Sequence, residues 1–183
     1  VLNNFVEETG AIVIHPYNDE RIIAGQGTVA LELLEDQPDL DVIITPLSGG
    51  GLLSGTLCAA KNMKDGIKVY GAEPEEADDA YRSLKAGKRM ANETTNPICD
   101  GLRAQIGMIN FPIIQELVDD IITLSEKEII ESMRLIWRRM KIIVEPSSSI
   151  TLAAVIKNKD LFKNKKVGLI LSGGNVDLDD LPW

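Results

Sequence analysis

The run Ser48-Gly49-Gly50-Gly51-Leu52-Leu53-Ser54-Gly55 has the composition of an anion site. Three consecutive residues without Cβ let the backbone curl around a phosphate and present several N–H donors, and a helix starting there adds the positive end of its dipole. A tight strand-to-helix turn without a ligand is the alternative, and it needs fewer than three glycines. The run lacks the Lys-Ser/Thr of a P-loop, and the glycine at 55 comes one residue late for GxGxxG. A second glycine pair, Ser172-Gly173-Gly174-Asn175, follows another apolar run, so two small-residue loops can converge on one crevice. A hydroxyl at Ser172 could there hydrogen-bond a ring nitrogen; taken alone it reads as a turn residue or cap.

A third feature has the opposite charge. Glu73, Glu75, Glu76, Asp78 and Asp79 place five carboxylates within seven residues. Such a cluster suits a hard cation, Mg²⁺ or Ca²⁺, held by carboxylate and backbone oxygens. An acidic helix start complementing the dipole explains the same charges, and Glu73 alone stands where a dinucleotide-binding strand meets a ribose. His15, the single histidine, precedes Pro16 and reads as a loop residue, so no Ser-His-Asp arrangement can be built on it. Cys58 and Cys99 lack CxxC spacing and read as two reduced thiols, neither a disulfide nor a zinc site.

The elements that must position these groups alternate. Apolar β-rich runs at 11–14, 41–46, 68–72, 119–123 and 167–171 predict strands; helical spacing predicts helices over 29–34 and 52–63. Residues 1–8 look like the end of a helix in a chain that opens without an initiator Met. Gly25-Gln26-Gly27-Thr28 reads as a helix start, with Thr28 within capping reach. Ser125 and Glu128 form a capping box that opens a helix through Met140, with Ile129, Met133, Ile136, Trp137 and Met140 as its core stripe. A last helix is expected over 151–157, and 86–107 reads as a long surface connection. Strands apolar at nearly every position are covered on both faces, which predicts an α/β fold with a parallel sheet.

The whole composition is that of one globular unit: 183 residues, 44% hydrophobic. Nineteen Lys and Arg against 28 Asp and Glu give a net charge of −9 without a basic block, which argues against nucleic acid or an anionic membrane as partner. No apolar run approaches bilayer length and no signal peptide is visible, so a cytoplasmic location is expected.

Taken in order, Gly25-Gln-Gly-Thr28, Ser48-Gly-Gly-Gly-Leu52, Gly71-Ala-Glu-Pro74, Glu145-Pro146 and Ser172-Gly-Gly-Asn175 resemble the serine racemase and threonine dehydratase family of fold type II pyridoxal-phosphate enzymes. The resemblance runs from Val1 to Trp183. It implies an open parallel sheet of the tryptophan synthase β-like kind, with 1–17 closing a small domain and 18–183 forming the C-terminal part of the large cofactor-binding domain. It implies further that Ser48, Gly49, Gly50, Gly51 and Leu52 wrap the cofactor phosphate, that Ser172 faces the pyridine nitrogen, that Gly101 lies near the ring and that Glu145 stands behind it. Glu73, the Ala77 backbone oxygen and Asp79 match a divalent cation site for Mg²⁺, Ca²⁺ or Mn²⁺. Asn175 matches a nucleotide contact at the dimer interface of ATP-activated members.

One departure is large. The family's Schiff-base lysine lies upstream in a Ser-Phe-Lys-x-Arg-Gly-Ala motif, with an Asn at the ring hydroxyl and the Ser that serves racemases as second acid/base, and none of these occurs here. The expectation is therefore the C-terminal portion of an enzyme that racemises or dehydrates serine, threonine or a similar β-hydroxy amino acid. Such a protein would work as a homodimer, with the lysine on the missing part or on a separate N-terminal polypeptide. A dinucleotide-binding module on 41–46 and 68–73, or a non-catalytic fragment used in assembly, are the other two readings.

Overall fold

Apolar residues at 42–44 leave neither face of that segment for water, and it becomes the buried centre of a sheet. The computed structural model describes residues 2–183, so Val1 lies outside the described residues. Strand β1 (Val42–Pro46) is buried at every position. It is flanked by β2 (Lys68–Pro74) and β4 (Val167–Leu169), and β3 (Asp120–Leu124) pairs with β2. All pairings are parallel, in the order β3-β2-β1-β4.

Successive side chains of β1 point to opposite faces. Ile43 enters one apolar cluster with Ala30 and Leu34 of α2 (Glu20–Asp36), Leu53 and Leu57 of α3 (Gly51–Met63), Ala80 of α4 (Asp79–Ala86) and Ile114 of α5 (Asn110–Leu117). Ile44 enters another with Ile129 of α6 (Glu126–Met140) and Ile150, Ala153 and Ala154 of α7 (Pro146–Lys157). Helix α1 (Leu2–Thr9) precedes them. The α/β sheet covered on both faces agrees with the sequence expectation.

The chain steps from β1 to β2 to β3 in one direction, then returns to place β4 on the other side of β1. The carboxyl ends of β1 and β4 therefore flank a topological switch point, the crevice where open α/β sheets bind ligands.

Several local expectations are corrected. Residues 11–14 form no strand, and Ile12 is 84% exposed, because no neighbouring strand among the described residues pairs with them. Gly25–Thr28 is not a helix start. Helix α2 begins at Glu20, where the Asp19 carboxylate accepts the Arg21 N–H, and Gly27 lies in its interior. A Cβ at Gly27 would stand 3.0 Å from the Gly55 carbonyl oxygen, so this glycine serves the close approach of α2 and α3. Helix α5 was not foreseen, and α7 starts at Pro146 rather than at 151. The capping box at Ser125 is present, and Ile129, Met133 and Ile136 are buried, but Met140 is 56% exposed past the end of the packed stripe.

Candidate active site

After β1 the chain turns through Leu47–Gly50 into α3. No side chain caps α3, and its cap residue Gly50 is left-handed, φ 93°. A Cβ there would stand 3.0 Å from both Asn110 Cβ and Ile114 Cδ1, so only glycine suits the position. The first N–H groups of the helix are thus left to a ligand from outside it. The loop is held rigidly from beneath. The Asn110 amide donates to the carbonyl oxygens of Gly49 (2.7 Å) and Tyr17 (3.1 Å), and Gly107 N–H donates to Gly49 O (2.9 Å). Ser48 Oγ accepts from Ala104 N–H (3.0 Å) and donates to Ala104 O (3.2 Å). The Tyr17 ring lies directly against Gly49.

Across the switch point, Glu145 joins two further segments. Its Oε2 accepts the Asn175 N–H (2.8 Å), and its own N–H donates to Gly173 O (3.3 Å). Beside it, Ser147 Oγ in the first turn of α7 accepts the Gly101 N–H (3.2 Å). The residues expected at one site from the sequence, Ser48–Leu52, Gly101, Glu145 and Ser172, all line one cavity of about 450 Å³. Sequence reasoning missed Tyr17, Gln26, Ala104 and Ser147 in the same wall. It also missed Asn110, which is fully buried beneath the loop. Their contacts span 46 to 93 residues of sequence, and no local pattern announces them. Asn175 is exposed at the rim.

At the carboxyl end of β2, next to this site, Glu73 and Asp79 are 0% and 1% exposed. Glu73 accepts the N–H groups of Ala80 (3.1 Å) and Tyr81 (2.8 Å) at the start of α4, and Asp79 Oδ2 accepts Ile106 N–H (2.8 Å). Glu73 is therefore tied inward, with no free edge for a ribose. Burial pushes its pKa well above the usual carboxylate range; the Tyr81 N–H opposes this, and the charge of Asp79 adds to it. Burial also raises Asp79, against the N–H of Ile106 and the Asn92 amide. The Asn92 side chain lies close to the Asp79 carboxyl, but no well-aligned hydrogen bond reaches Asp79 Oδ1. Among the described residues no group of three or more His, Cys, Asp or Glu side chains is gathered around one point, so any ion here needs backbone or amide oxygens as well.

His15 behaves as a loop residue: Nδ1 accepts the N–H groups of Asn18 (2.9 Å) and Tyr17 (3.3 Å). Cys58 and Cys99 are free thiols, and burial pushes that of Cys99 far up.

The family model for pyridoxal-phosphate dependent enzymes matches residues 1–173. The chain belongs to this family. It is 50% identical over 188 aligned positions to serine racemase of Arabidopsis thaliana, covering 99% of this chain and 56% of that protein. It is 46% identical over 176 positions to β-hydroxyaspartate dehydratase of Paracoccus denitrificans, covering 96% and 56%. The solved structure of maize serine racemase superposes with a TM-score of 0.93 at 45% identity, over 97% of this chain and 55% of that one. The chain thus spans little more than half the length of these relatives.

For a pyridoxal-phosphate family member the residues present fit the cofactor. An uncapped glycine start of α3 offers unpartnered N–H groups to a phosphate, and Ser172 presents a hydroxyl in the same cavity. The cavity volume falls within the range usual for cofactor sites.

Proposed function

We propose that this chain supplies the phosphate-binding and ring-binding part of an enzyme that racemises or dehydrates serine, threonine or a similar β-hydroxy amino acid. The observation that carries this reading is the uncapped, glycine-built start of α3 facing Ser172 across a single cavity at the switch point. Backbone N–H groups of Ser48–Leu52 hold the cofactor phosphate. Ser172 Oγ pairs with the ring nitrogen, and a neutral partner leaves that nitrogen largely unprotonated. Gly101 lets the ring approach the backbone, while Glu145 keeps the Ser172–Asn175 segment in place behind it. Once bound, the cofactor provides an electron sink for charge developing at the substrate Cα. The names of the relatives, a racemase and a dehydratase, support both outcomes: reprotonation at Cα, or loss of the β-hydroxyl.

The lysine required by such chemistry comes from outside these residues, on a preceding domain or a separate N-terminal polypeptide. Residues 1–17 are then the end of the small domain and 18–183 most of the large one. The exposed apolar residues Ile12, Val13 and Ile14 support a covering partner there. Glu73, the Ala77 carbonyl and Asp79 hold a divalent cation, Mg²⁺ first; its support is the Asp79 oxygen without a well-aligned hydrogen bond, buried beside Glu73. The working protein is a cytoplasmic homodimer in which Asn175 contacts activating ATP. Among the described residues no helix is long and apolar enough to cross a membrane.

The test is an absorption spectrum of the purified protein with pyridoxal phosphate, before and after borohydride, followed by peptide mapping and assays of serine for racemisation and keto-acid release. A reducible visible band that maps to one lysine of a co-purifying polypeptide, with turnover, supports the reading. Scattered adducts on surface lysines, with phosphate-independent binding, overturn it.

A further inference from the structure

Asn110 opens α5 and is fully buried beneath the glycine loop. Its amide nitrogen donates to Gly49 O (2.7 Å) and Tyr17 O (3.1 Å), while its Oδ1 is shielded from solvent and meets no hydrogen-bond donor. Two carbonyl oxygens can be met only by the nitrogen end of an amide, so the oxygen end is left unsatisfied in their favour. A buried oxygen without a donor opposes folding, and an apolar side chain packed on Gly50 and beside Ile114 would avoid that cost. Nor does Gly49 O need this donor to be satisfied, because it already receives the Gly107 N–H (2.9 Å).

What the second donor adds is direction. Asn110 and Gly107 together turn the Gly49 carbonyl down onto the start of α5. The peptide joining Gly49 to Gly50 is trans and planar, so its N–H points opposite its C=O. Gly50 N–H is thereby turned up, to the side on which Gly49, Gly50 and Gly51 line the cavity. Among the described residues nothing accepts this N–H.

Resting on the phosphate reading above, we propose that Asn110 is a positioning residue for the cofactor phosphate: by drawing the Gly49 carbonyl away from the cavity it aims the Gly50 N–H at the anion. A loop without this hold could rotate the same peptide and face the phosphate with a carbonyl oxygen, which repels it. The nitrogen also holds Tyr17, whose ring lies against Gly49, so the segment entering α2 and the phosphate loop share one support. An amide suits the task because one nitrogen carries two hydrogens for two carbonyls and brings no charge to a fully buried position.

The experiment uses the 183-residue chain labelled with ¹⁵N-glycine. Its probes are inorganic phosphate, pyridoxine phosphate and pyridoxine, none of which has an aldehyde to react with surface lysines. In the parent, phosphate should move the Gly50 amide proton downfield. Asn110→Asp keeps the shape but turns an oxygen on both carbonyls, and Asn110→Ala removes the amide. Each should weaken phosphate and pyridoxine phosphate about 10-fold, the worth of one hydrogen bond to a charged group, and leave pyridoxine affinity unchanged. Equal weakening of pyridoxine would make Asn110 part of the scaffold only and overturn the proposal, as would parent-like phosphate affinity in Asn110→Asp. Phosphate that binds the parent without moving the Gly50 amide, a result that needs no variant, also overturns it while the phosphate site stands. If the parent binds neither phosphate nor pyridoxine phosphate, the phosphate reading itself falls and the role of Asn110 with it.

Discussion

Two neighbouring strands end in two sites of opposite electrical design. β1 runs into a helix whose first N–H groups have no side chain to accept them, while β2 runs into a helix whose first N–H groups are taken by the buried Glu73. The first arrangement leaves positive potential for an anion. The second spends it on a carboxylate of the chain, then adds a second buried acid, Asp79, with an oxygen to spare. The same motif, strand to helix start, is thus left open to an anion at one position and is filled in at the next. What differs is a side chain of one residue type at the strand end, and which of the two is left unsatisfied.

The largest effect should come from filling the phosphate loop. Gly50→Val puts a β-branched side chain at φ 93° and against Asn110 and Ile114. Left-handed strain and overpacking each cost about 1–3 kcal/mol, so urea unfolding should show a loss of about 3 kcal/mol or more. Pyridoxal-phosphate binding should fall with it, whereas Mn²⁺ binding to the surviving folded protein should remain.

Next comes the acidic side of the comparison. Asp79→Ala strands the Ile106 N–H and should cost about 2 kcal/mol. Asp79→Asn keeps an acceptor and removes a desolvated charge, so at pH 8 without metal it should be less damaging than Ala and close to the parent in stability. The pH dependence follows the same logic. Glu73 and Asp79 have folded pKa values raised above their unfolded ones, so the folded chain binds more protons between the two values. Stability of the metal-free protein should then be highest on the acid side of that window and fall as pH rises from the ordinary carboxylate range toward neutrality. Asp119 behaves oppositely: burial opposes its ionisation, but Lys61 and Lys68 outweigh it and lower the pKa, so its contribution is lost only on strong acidification. Urea midpoints at about pH 5.5 and 8 check the sign. Saturating Mg²⁺ should erase the difference; a protein that instead gains stability with pH in the absence of metal would show these carboxylates to be ionised without cost.

The sequence disclosed the glycine loop better than the acidic cluster, for a physical reason. Strands buried on both faces and a glycine run are written locally, because apolar periodicity and missing Cβ atoms depend on adjacent residues. β1, α3 and the Ser48–Leu52 loop were therefore legible. The support beneath that loop was not: Asn110 reaches Tyr17 across 93 residues, and α5 lacks any cap that would mark its start. At the acidic cluster the charges were obvious, but nothing local told which two would be buried. The failures at 11–14 and 25–28 are of one kind. Val13 and Ile14 have strand propensity without a strand to pair with, and Gly27, which looks like part of a helix start, is there for the close approach of the neighbouring helix.

A smaller effect tests how the loop is tied to the rest of the site. Ser48→Ala removes one hydroxyl that bonds both backbone groups of Ala104, and should cost about 1 kcal/mol in urea unfolding. Because Ala104 and Ile106 belong to one segment, Mn²⁺ affinity should fall slightly as well if the two sites communicate through it.

The smallest change in stability should occur where the anion site meets solvent. Ser172 is exposed and makes no hydrogen bond among those of the described residues, so Ser172→Ala should leave the urea midpoint within about 0.5 kcal/mol of the parent. Its effect belongs to the ligand alone. If its hydroxyl partners the ring nitrogen, the substitution should weaken pyridoxal-phosphate binding while leaving inorganic phosphate binding at the α3 start unchanged. Equal loss of both ligands would move Ser172 from the ring to the phosphate, and no loss of either would leave the ring nitrogen to another group. A residue that changes ligand binding with little change in folding separates the binding design from the scaffold that carries it.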